Sequence, residues 1–528
     1  MSRSLAFALL STAALGGCAT LPPGSDFSKR ASTAWAHPEE TPLGRIFAAV
    51  PNEHPGDSAF RIISVGIDGF AARMQMIDAA EHTLDLQYFI FRQDDTGRLL
   101  TGALLRAADR GVHVRVLLDD GAMVPGDSQI RLLAAHPQIE IRTFNPFIYR
   151  GDSAWLRRTE FLVSQARLDF RMHNKLLLAD NAGALIGGRN IGDQYFQVDS
   201  EGQYADDDVF AGGPAVQGLS VKFDEYWNST LAIPIEALAG GRPTDAALAA
   251  YRLRLAQEWQ QAQIDGPPYV QHARSGDPLS GIMLGRLPLV WANAQIVCDS
   301  PQKKRVRNGS MVGRLMYEPV AAAASAVQTE LLMITPYFVP TPEELRLLKG
   351  LRERKVRVRI LTNSLESTTE LAAQSGYGRY RATVLQSGVE LYEVRALLGN
   401  TRGSGQTAGM SRHGNYGLHA KLFVFDRQKL FVGSMNFDQR SMRLNTEVGL
   451  IIDSPELAQQ TATRFERMTE SGNAYQVVLR QDAAGKSQLV WHTLEDGRQV
   501  EYTREPSRRA WRRLAVRFLS LLPIEDEL

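Results

Sequence analysis

One phrase of eighteen residues is written twice in this chain. HNKLLLADNAGALIGGRN runs from His173 to Asn190, and HAKLFVFDRQKLFVGSMN runs from His419 to Asn436. Each copy has a His, a Lys two residues on, an Asp five further, then Gly-Gly or Gly-Ser, and a closing Asn. Both ends of the phrase repeat at an offset of 246 residues, and a third landmark, Val114 against Val358, repeats at 244. Three landmarks at nearly one offset predict a tandem duplication of a whole domain, because the period is far longer than that of a solenoid repeat. The 528 residues leave room for two such domains and a connection between them.

The sequence around each copy alternates strand and helix signals. TLDLQYFIF (Thr83 to Phe91) reads as a buried strand, and TGRLLTGALLRAADRG as a helix with Leu99, Leu100, Ala103, Leu104 and Ala107 on one face, ending at Gly111. VHVRVLLDD follows as a strand, which makes a β-α-β unit and a sheet with parallel strands. The second half repeats the plan: ELLMITPYFVP as a strand, TPEELRLLKGLRERK as a helix with a Thr cap and early Glu residues, then VRVRILTNS. The expected fold class is therefore α/β: two tandem domains, each a mixed, mostly parallel sheet flanked by helices, related by a pseudo-two-fold. The expected division is 1–17 signal peptide, 18–57 tether, 58–238 first domain, 239–285 linker with one helix, 286–475 second domain, and 476–528 C-terminal strands and a basic amphipathic helix. A Gly- and Ser-rich stretch from Leu398 to Gly417 precedes His419 and reads as a lid or as a plain loop.

The residue types in the phrase point to phosphate chemistry. A strand puts a His and a Lys two apart on one face, and a cation beside an imidazole suits a phosphate better than a metal. No carboxylate or further His stands at metal-ligand spacing, so no metal is expected. Small residues and an amide (Gly188 and Asn190, Ser434 and Asn436) let backbone and side chain approach phosphoryl oxygens. A lone His in a strand is more often a core residue. Two copies allow one His to attack a phosphorus and the other to protonate the leaving oxygen.

The termini speak of a membrane. MSRSLAFALLSTAALGGC has a basic start, a short apolar run and small residues before Cys18, a signal-peptide pattern too short to span a bilayer comfortably. Its LGGC ending resembles a bacterial lipobox, which implies lipidation of Cys18 and a periplasm-facing protein, with Ala19 hinting at the outer membrane over the inner. WRRLAVRFLSLL near the other end puts Trp511, Leu514, Ala515, Phe518 and Leu522 on one helical face and Arg509, Arg513 and Arg517 on another, which suits either an anionic lipid surface or packing on the core. The balance of 59 Lys and Arg against 58 Asp and Glu argues against a general nucleic-acid binder.

The doubled HxKxxxxD with GG or GS and Asn resembles the phospholipase D superfamily. LDLQYFIF, AADRGVHVRVLLDDG, FNPF, RMHNKLLLADN, GGRNIGDQYF, LTNSLESTTELAAQSGYGRYR and SLLPIEDEL are similar to bacterial cardiolipin synthases of the C type and their relatives. That resemblance implies phosphatidyl transfer without a cofactor. By it, His173 is the nucleophile that becomes a phosphohistidine and His419 the general acid and then base. Lys175, Lys421, Asn190 and Asn436, aided by Ser434, hold the phosphoryl oxygens. Asp180 and Asp426 complete the two motifs, with turn-tying as their expected work. A downstream carboxylate orients each His: Glu447 for His419, and Asp208, aligned through Val209, or else Glu201, for His173. The implied substrate is phosphatidylglycerol, with phosphatidylethanolamine as a second donor, at a membrane surface. Hydrolysis by water, a nuclease-like phosphodiesterase and a non-catalytic lipid-binding lipoprotein stand as the alternatives.

Overall fold

In a computed structural model the chain is described over residues 29–48, 55–122, 127–151, 153–198, 202–238, 241–275, 278–283, 286–309, 313–396, 415–481, 485, 487–507 and 509–522. Cys18, Ala19 and Glu201, the signal peptide and most of the stretch from 398 to 417 lie outside these residues.

The first half builds β1 (Ser58–Ile63), β2 (Thr83–Tyr88), β3 (His113–Asp119), β4 (Ile139–Phe144), β5 (Lys175–Ala179), β6 (Gly183–Gly187), β7 (Gly202–Ala205), β8 (Asp208–Gly212) and β9 (Ala232–Pro234). The second builds β10 (Val290–Cys298), β11 (Glu330–Ile334), β12 (Arg357–Asn363), β13 (Glu390–Val394), β14 (Asn415–Leu418), β15 (Leu422–Phe425), β16 (Lys429–Gly433), β17 (Val448–Asp453), β18 (Ala474–Gln481), β19 (Ser487–Glu495) and β20 (Arg498–Tyr502). The first sheet runs β1-β8-β6-β5-β2-β3-β4-β9, with β2, β3 and β4 parallel and the other pairings antiparallel. The second repeats that order as β10-β17-β16-β15-β11-β12-β13-β18, again with three parallel strands at the centre, and adds β19 and β20 beyond β18. The fold is thus a mixed α/β pair of domains.

The expected β-α-β units are present. The helix between β2 and β3 spans Asp95–Asp109, capped by the Asp94 side chain on the Gly97 N–H, and buries Leu99, Leu100, Ala103, Leu104 and Ala107. Its counterpart, Pro342–Glu353, starts with a full capping box between Thr341 and Glu344. β2 and β3 are buried almost throughout. One face packs Leu84, Leu86 and Tyr88 on helices, and the other buries Asp85 with Arg115 at 2.6 Å. Removing one partner of such a buried pair costs about 3–5 kcal/mol, so Asp85→Ala is strongly destabilising.

The halves join in two ways. β1 and β10 pair antiparallel, Ser58 opposite Ala292, which makes one continuous sheet. β7 and β14, one from each half, pair parallel as a separate ribbon. One apolar cluster, holding Phe60, Leu176, Ile186 and Val209 beside Leu332, Leu422, Val432 and Leu450, spans the halves.

Residues 29–48 correct the expectation of a tether. Trp35 stacks on His82 with centroids 4.1 Å apart, Ala34 N–H donates to Asp224, and Leu43 is fully buried in the first-half core. Pro38 and Pro42 there open short helices, and three apolar side chains, Trp35, Leu43 and Phe47, dock the segment. Between the halves, the linker helix spans Asp245–Asp265. No helix of the described residues is long and apolar enough to cross a membrane.

Candidate active site

Each copy of the phrase folds into a β-hairpin whose turn its own Asp builds. β5 runs into Asp180 and Asn181, both left-handed (φ 53° and 54°), and β15 into Asp426 and Arg427 (φ 53° for both). The Asp180 carboxylate accepts the N–H groups of Glu81, His82 and Thr83 at 2.8–2.9 Å, and Asp426 those of Gln328, Thr329 and Glu330. These are the residues that lead into β2 and β11, so each Asp ties a hairpin to the start of its central strand. Neither lines the cavity described below. Burial alone would raise Asp426, but the Thr329 hydroxyl and three N–H groups hold it below the usual carboxylate range.

His173 and His419 sit just ahead of β5 and β15, where extended segments meet across the two halves. His173 N–H donates to Thr446 O at 2.9 Å, and Thr446 N–H returns to Arg171 O. In the symmetric place His419 N–H donates to Ala205 O at 2.8 Å, continuing the β7–β14 ribbon. This exchange sets the carboxylates. Glu447 follows Thr446 and reaches His173 Nδ1 at 2.9 Å. Asp206 follows Ala205 and reaches His419 Nδ1 at 2.6 Å. Each His is therefore held by the other half of the chain.

The expected orienting residues change accordingly. Glu447 serves His173, not His419. Asp208 meets neither ring: it is fully buried between Arg73 at 2.8 Å and Arg189 at 3.2 Å. The sheet register gives the reason. Gly187 lies opposite Asp208 and Gly433 opposite Gly449, so Asp208 corresponds to Gly449, and Glu447 corresponds to Asp206. The alignment through Val209 is two residues out of register, a shift that keeps every side chain on the same face and leaves the apolar alternation intact. The Asp-Asp-Asp run at 206–208 offers a carboxylate in either register.

Ser434 also differs from expectation. Its hydroxyl donates to Glu447 at 2.5 Å and accepts the Val448 N–H at 3.0 Å, so it braces the carboxylate instead of facing the cavity. Ser441 Oγ donates to the other Glu447 oxygen at 2.9 Å. In the first half Gly188 occupies the Ser434 place. A Cβ there would lie 2.0 Å from Asp206 Oδ1, so only glycine lets the shorter Asp side chain sit in.

Both His rings open on one cavity of about 740 Å³ between the halves. Asn190 and Asn436 line it as expected. The Asn190 amide accepts the Ile90 N–H at 3.1 Å and donates to the Tyr195 hydroxyl at 3.0 Å, while Asn436 keeps its buried Oδ1 unpaired. Phe89, Tyr195, Tyr204 and Tyr337 supply aromatic walls, and Arg92, Glu370, Asp438 and Arg440 charged ones. Phe89 meets the His173 ring edge-on with centroids 5.1 Å apart, and Tyr195 and Tyr204 lie 5.2 and 5.3 Å from His419. Sequence reasoning did not single out these aromatic and charged residues, since each sits in an ordinary strand end or loop. FIF, DQYF and EGQY place them a few residues from motif landmarks, but nothing in those phrases aims them at a common point.

The electrostatics favour neutral imidazoles. Burial, then the Lys175 and Lys421 charges, hold His173 well below its ordinary range. Burial and Lys421 bring His419 down to about 3. Lys175 and Lys421 stack against their own motifs, each ammonium donating to the carbonyl of the His two residues before it. Burial lowers Lys421 to about 8 and Lys175 well below the usual lysine range. The carboxylates diverge. Burial opposes ionisation of Asp206, yet its bond to His419 and the Lys421 and Arg189 charges hold it at about 2, whereas burial pushes Glu447 up to about 7. A neutral imidazole that donates Nδ1–H to a carboxylate keeps its lone pair on Nε2. Two such rings on one cavity can act on one electrophile as nucleophile and as acid or base.

Comparisons with known proteins agree with this geometry. The family model described as "Cardiolipin synthase, PLD-like domain" matches residues 74–227 and 320–469, one span in each half. Cardiolipin synthase C of Escherichia coli (strain K12) is 36% identical over 479 residues, 90% of this chain and 97% of that one. The cardiolipin synthase of Geobacillus thermodenitrificans is 25% identical over 421 residues, 79% of this chain and 67% of that one. Among solved structures, phosphatidylserine synthase of Haemophilus influenzae Rd KW20 superposes with a TM-score of 0.50 at 13% identity, over 82% of this chain and 91% of that one. A doubled domain, two crossed His–carboxylate pairs on a shared cavity and a family match in each half lead to one assignment: the chain belongs to the cardiolipin synthase family of phospholipase D-like proteins and is an enzyme of the phospholipase D superfamily.

Proposed function

We propose that the protein transfers a phosphatidyl group from one phospholipid to the hydroxyl of another, with phosphatidylglycerol as acceptor and phosphatidylglycerol or phosphatidylethanolamine as donor. The observation that carries this reading is the pair of imidazoles on one cavity, each held at Nδ1 by a carboxylate of the opposite half. His173 Nε2 attacks the phosphorus of the donor. The phosphorus–oxygen bond to the departing alcohol breaks, and His419 gives that oxygen its proton. The phosphatidyl group then rests on His173. An acceptor hydroxyl enters, His419 takes its proton, and the oxygen displaces His173 to form the product diester. No atom is gained or lost beyond the exchanged alcohols, and no oxidant or metal is required.

The electrical balance suits these roles. Burial and the neighbouring lysine charges keep His173 neutral, as a nucleophile needs. His419 faces the firmly ionised Asp206, which stabilises an imidazolium. An anionic phosphodiester entering between the rings offsets Lys175 and Lys421, whose charges add to burial in keeping both rings neutral, and so raises His419 toward its working range. Asn190 and Asn436, which line the cavity, donate to the phosphoryl oxygens as charge builds, and Lys175 and Lys421 add positive charge beside the two rings. The domains at 58–238 and 286–475 each bring one His and one carboxylate, and neither suffices alone. Lipidation of Cys18 would hold the protein at the membrane that supplies the substrate, facing the periplasm.

The test is lipid mass spectrometry after incubation of the purified protein with phosphatidylglycerol vesicles, with and without phosphatidylethanolamine. Cardiolipin made by the unaltered protein and not by His173→Ala or His419→Ala is the expected result. Phosphatidic acid without cardiolipin would replace transfer by hydrolysis.

A further inference from the structure

Two helices outside the catalytic machinery carry their apolar side chains outward. In Ala154–Val163, Trp155 is 71% exposed, Leu162 73% and Val163 57%. In Ala510–Leu519, Leu514 is 69% exposed, Phe518 64% and Trp511 51%, all on one face, and Leu521 just beyond continues it. A helix that merely packs on a soluble core does the reverse. Here the polar side chains do the docking. Arg157 donates to Asp120 O at 2.6 Å and lies 4.2 Å over the Phe147 ring, while Arg512 donates to the carbonyls of Leu365 and Thr368 at 3.1 and 2.6 Å. These anchors leave the apolar faces to solvent.

Both helices are tied to residues that adjoin the lining of the catalytic cavity. Thr368 is followed by Thr369 and Glu370, which line the cavity. Cavity-lining Arg92 donates to Ala122 O, two residues from the carbonyl that holds Arg157. The chain from the first helix continues to Asp169, which pairs with cavity-lining Arg440 at 2.6 Å. The exposed charges carried by the two helices themselves have one sign. AWRRLAVRFL contains no acid, and exposed Arg513 and Arg517 border its apolar face. In AWLRRTEFLV the single acid, Glu160, is taken up by the N–H groups of Ile148 and Tyr149, and Arg158 stays exposed.

We infer that these two helices seat the cavity mouth on an anionic phospholipid bilayer. Trp155, Leu162, Trp511, Leu514 and Phe518 enter the boundary between headgroups and acyl chains, and Arg158, Arg513 and Arg517 meet the lipid phosphates. A phospholipid then reaches the two imidazoles from the bilayer without crossing water. This inference rests on the reading of the cavity as a phospholipid site.

The test uses the full chain. Vesicles of phosphatidylglycerol and phosphatidylcholine with brominated acyl chains quench tryptophans that enter the bilayer. Quenching is expected, and it should shrink in Trp155→Phe and again in Trp511→Phe; a lipid anchor at the N-terminus would not quench these two. In parallel, Trp511→Ser/Leu514→Ser/Phe518→Ser and Trp155→Ser/Leu162→Ser/Val163→Ser should each lose about tenfold or more in turnover of long-chain lipid in vesicles. Both should retain turnover of dissolved dibutanoyl phosphatidylglycerol within about threefold. Unchanged quenching and vesicle turnover in these variants would overturn the inference. So would equal losses on both substrates, or apolar faces that prove to be covered by a second copy in sedimentation. If the unaltered protein turns over neither substrate, the phospholipid reading falls, and bromolipid quenching still decides the docking.

Discussion

The two His–carboxylate pairs are built alike and charged differently. Asp206 faces His419 among the Lys421 and Arg189 cations, and it is held at about 2. Glu447 faces His173 near Lys175, but it shares its surroundings with the buried carboxylates of Asp299 and Asp438, and burial pushes it up to about 7. The braces differ too. Glu447 rests on the hydroxyls of Ser434 and Ser441, while Asp206 fills the space that glycine leaves at position 188. A duplicated domain would give two equivalent rings. The substitutions around the repeat split them into one ring beside a fixed negative charge and one beside a carboxyl that titrates near neutrality. The proposed roles of acid and nucleophile rest on that split.

The largest expected effect breaks the pair itself. His173→Ala and His419→Ala should each lower kcat by about 10⁴-fold or more on phospholipid. The two should part company on a substrate with a good leaving group, such as a p-nitrophenyl phosphodiester. There His419→Ala should recover at least about a hundredfold, because the leaving group no longer needs a proton, and His173→Ala should recover nothing. Recovery by His173→Ala instead would exchange the two roles.

The carboxylates come next. Asp206→Asn should cost about 10³–10⁴ in kcat, since an amide cannot stabilise the imidazolium and favours the wrong tautomer. Glu447→Gln should cost less, about 10²-fold, because Glu447 is already partly protonated at neutral pH. Steady-state rates at pH 7 decide this, and equal losses would dissolve the distinction between the pairs. Asp208→Asn should act on a third variable, stability, because its partners are Arg73 and Arg189 and not a catalytic ring.

Much of this arrangement could be read from the sequence, and the part that could not has one physical cause. The doubled phrase, the β2 and β3 strands and the helix at Pro342–Glu353 with its Thr341 cap all rest on local pattern, and local pattern is what a sequence displays. The crossing of the carboxylates is not local. Residues 213 and 274 positions apart meet there, and their pairing leaves no period. The alignment through Val209 offers Asp208, with Glu201 as its alternative, and passes over Asp206, because a shift of two residues preserves strand alternation. Ser434 was aimed at phosphate because its hydrogen-bond partner, Glu447, belongs to a strand end whose position only the sheet register fixes. The tether expected over 18–57 rests on the mixture of Pro, Gly, Ser and charged residues there, which hides the apolar Trp35, Leu43 and Phe47.

The pH profile sharpens the comparison further. Glu447 is raised, so it is neutral below about 7 and becomes the better acceptor of the His173 Nδ1–H above it. Lys421 is lowered to about 8, so its charge fades above that point. kcat/KM should therefore rise with pH through about 7 and fall above about 8. Glu447→Gln should lose the rising limb and keep the falling one. The sign for stability is the reverse of the usual carboxylate: a raised acid contributes most when protonated, so this contribution declines from the ordinary Glu range near 4.5 up through about 7. Asp206, being lowered, adds stability above the ordinary Asp range near 3.8 and loses it as pH falls toward about 2.

The smallest effect separates the two turn-tying aspartates. Asp180 is fully buried and takes three N–H groups, while Asp426 makes the same bonds at a half-buried edge. Asn at either position keeps the volume but loses the charge on the acceptor and turns an NH₂ toward backbone donors. At position 180 water cannot enter to compensate, so Asp180→Asn should cost about 2 kcal/mol, whereas Asp426→Asn should cost under about 1 kcal/mol. Urea unfolding measures both. Because neither Asp reaches the cavity, kcat/KM of the folded protein should stay within about threefold of the unaltered value in both variants. A large kinetic loss with unchanged stability would place these residues in the chemistry and undo their assignment to the turns. A larger stability loss at 426 than at 180 would mean that the tie between hairpin and central strand matters more in the second half, where β19 and β20 extend the sheet beyond anything in the first.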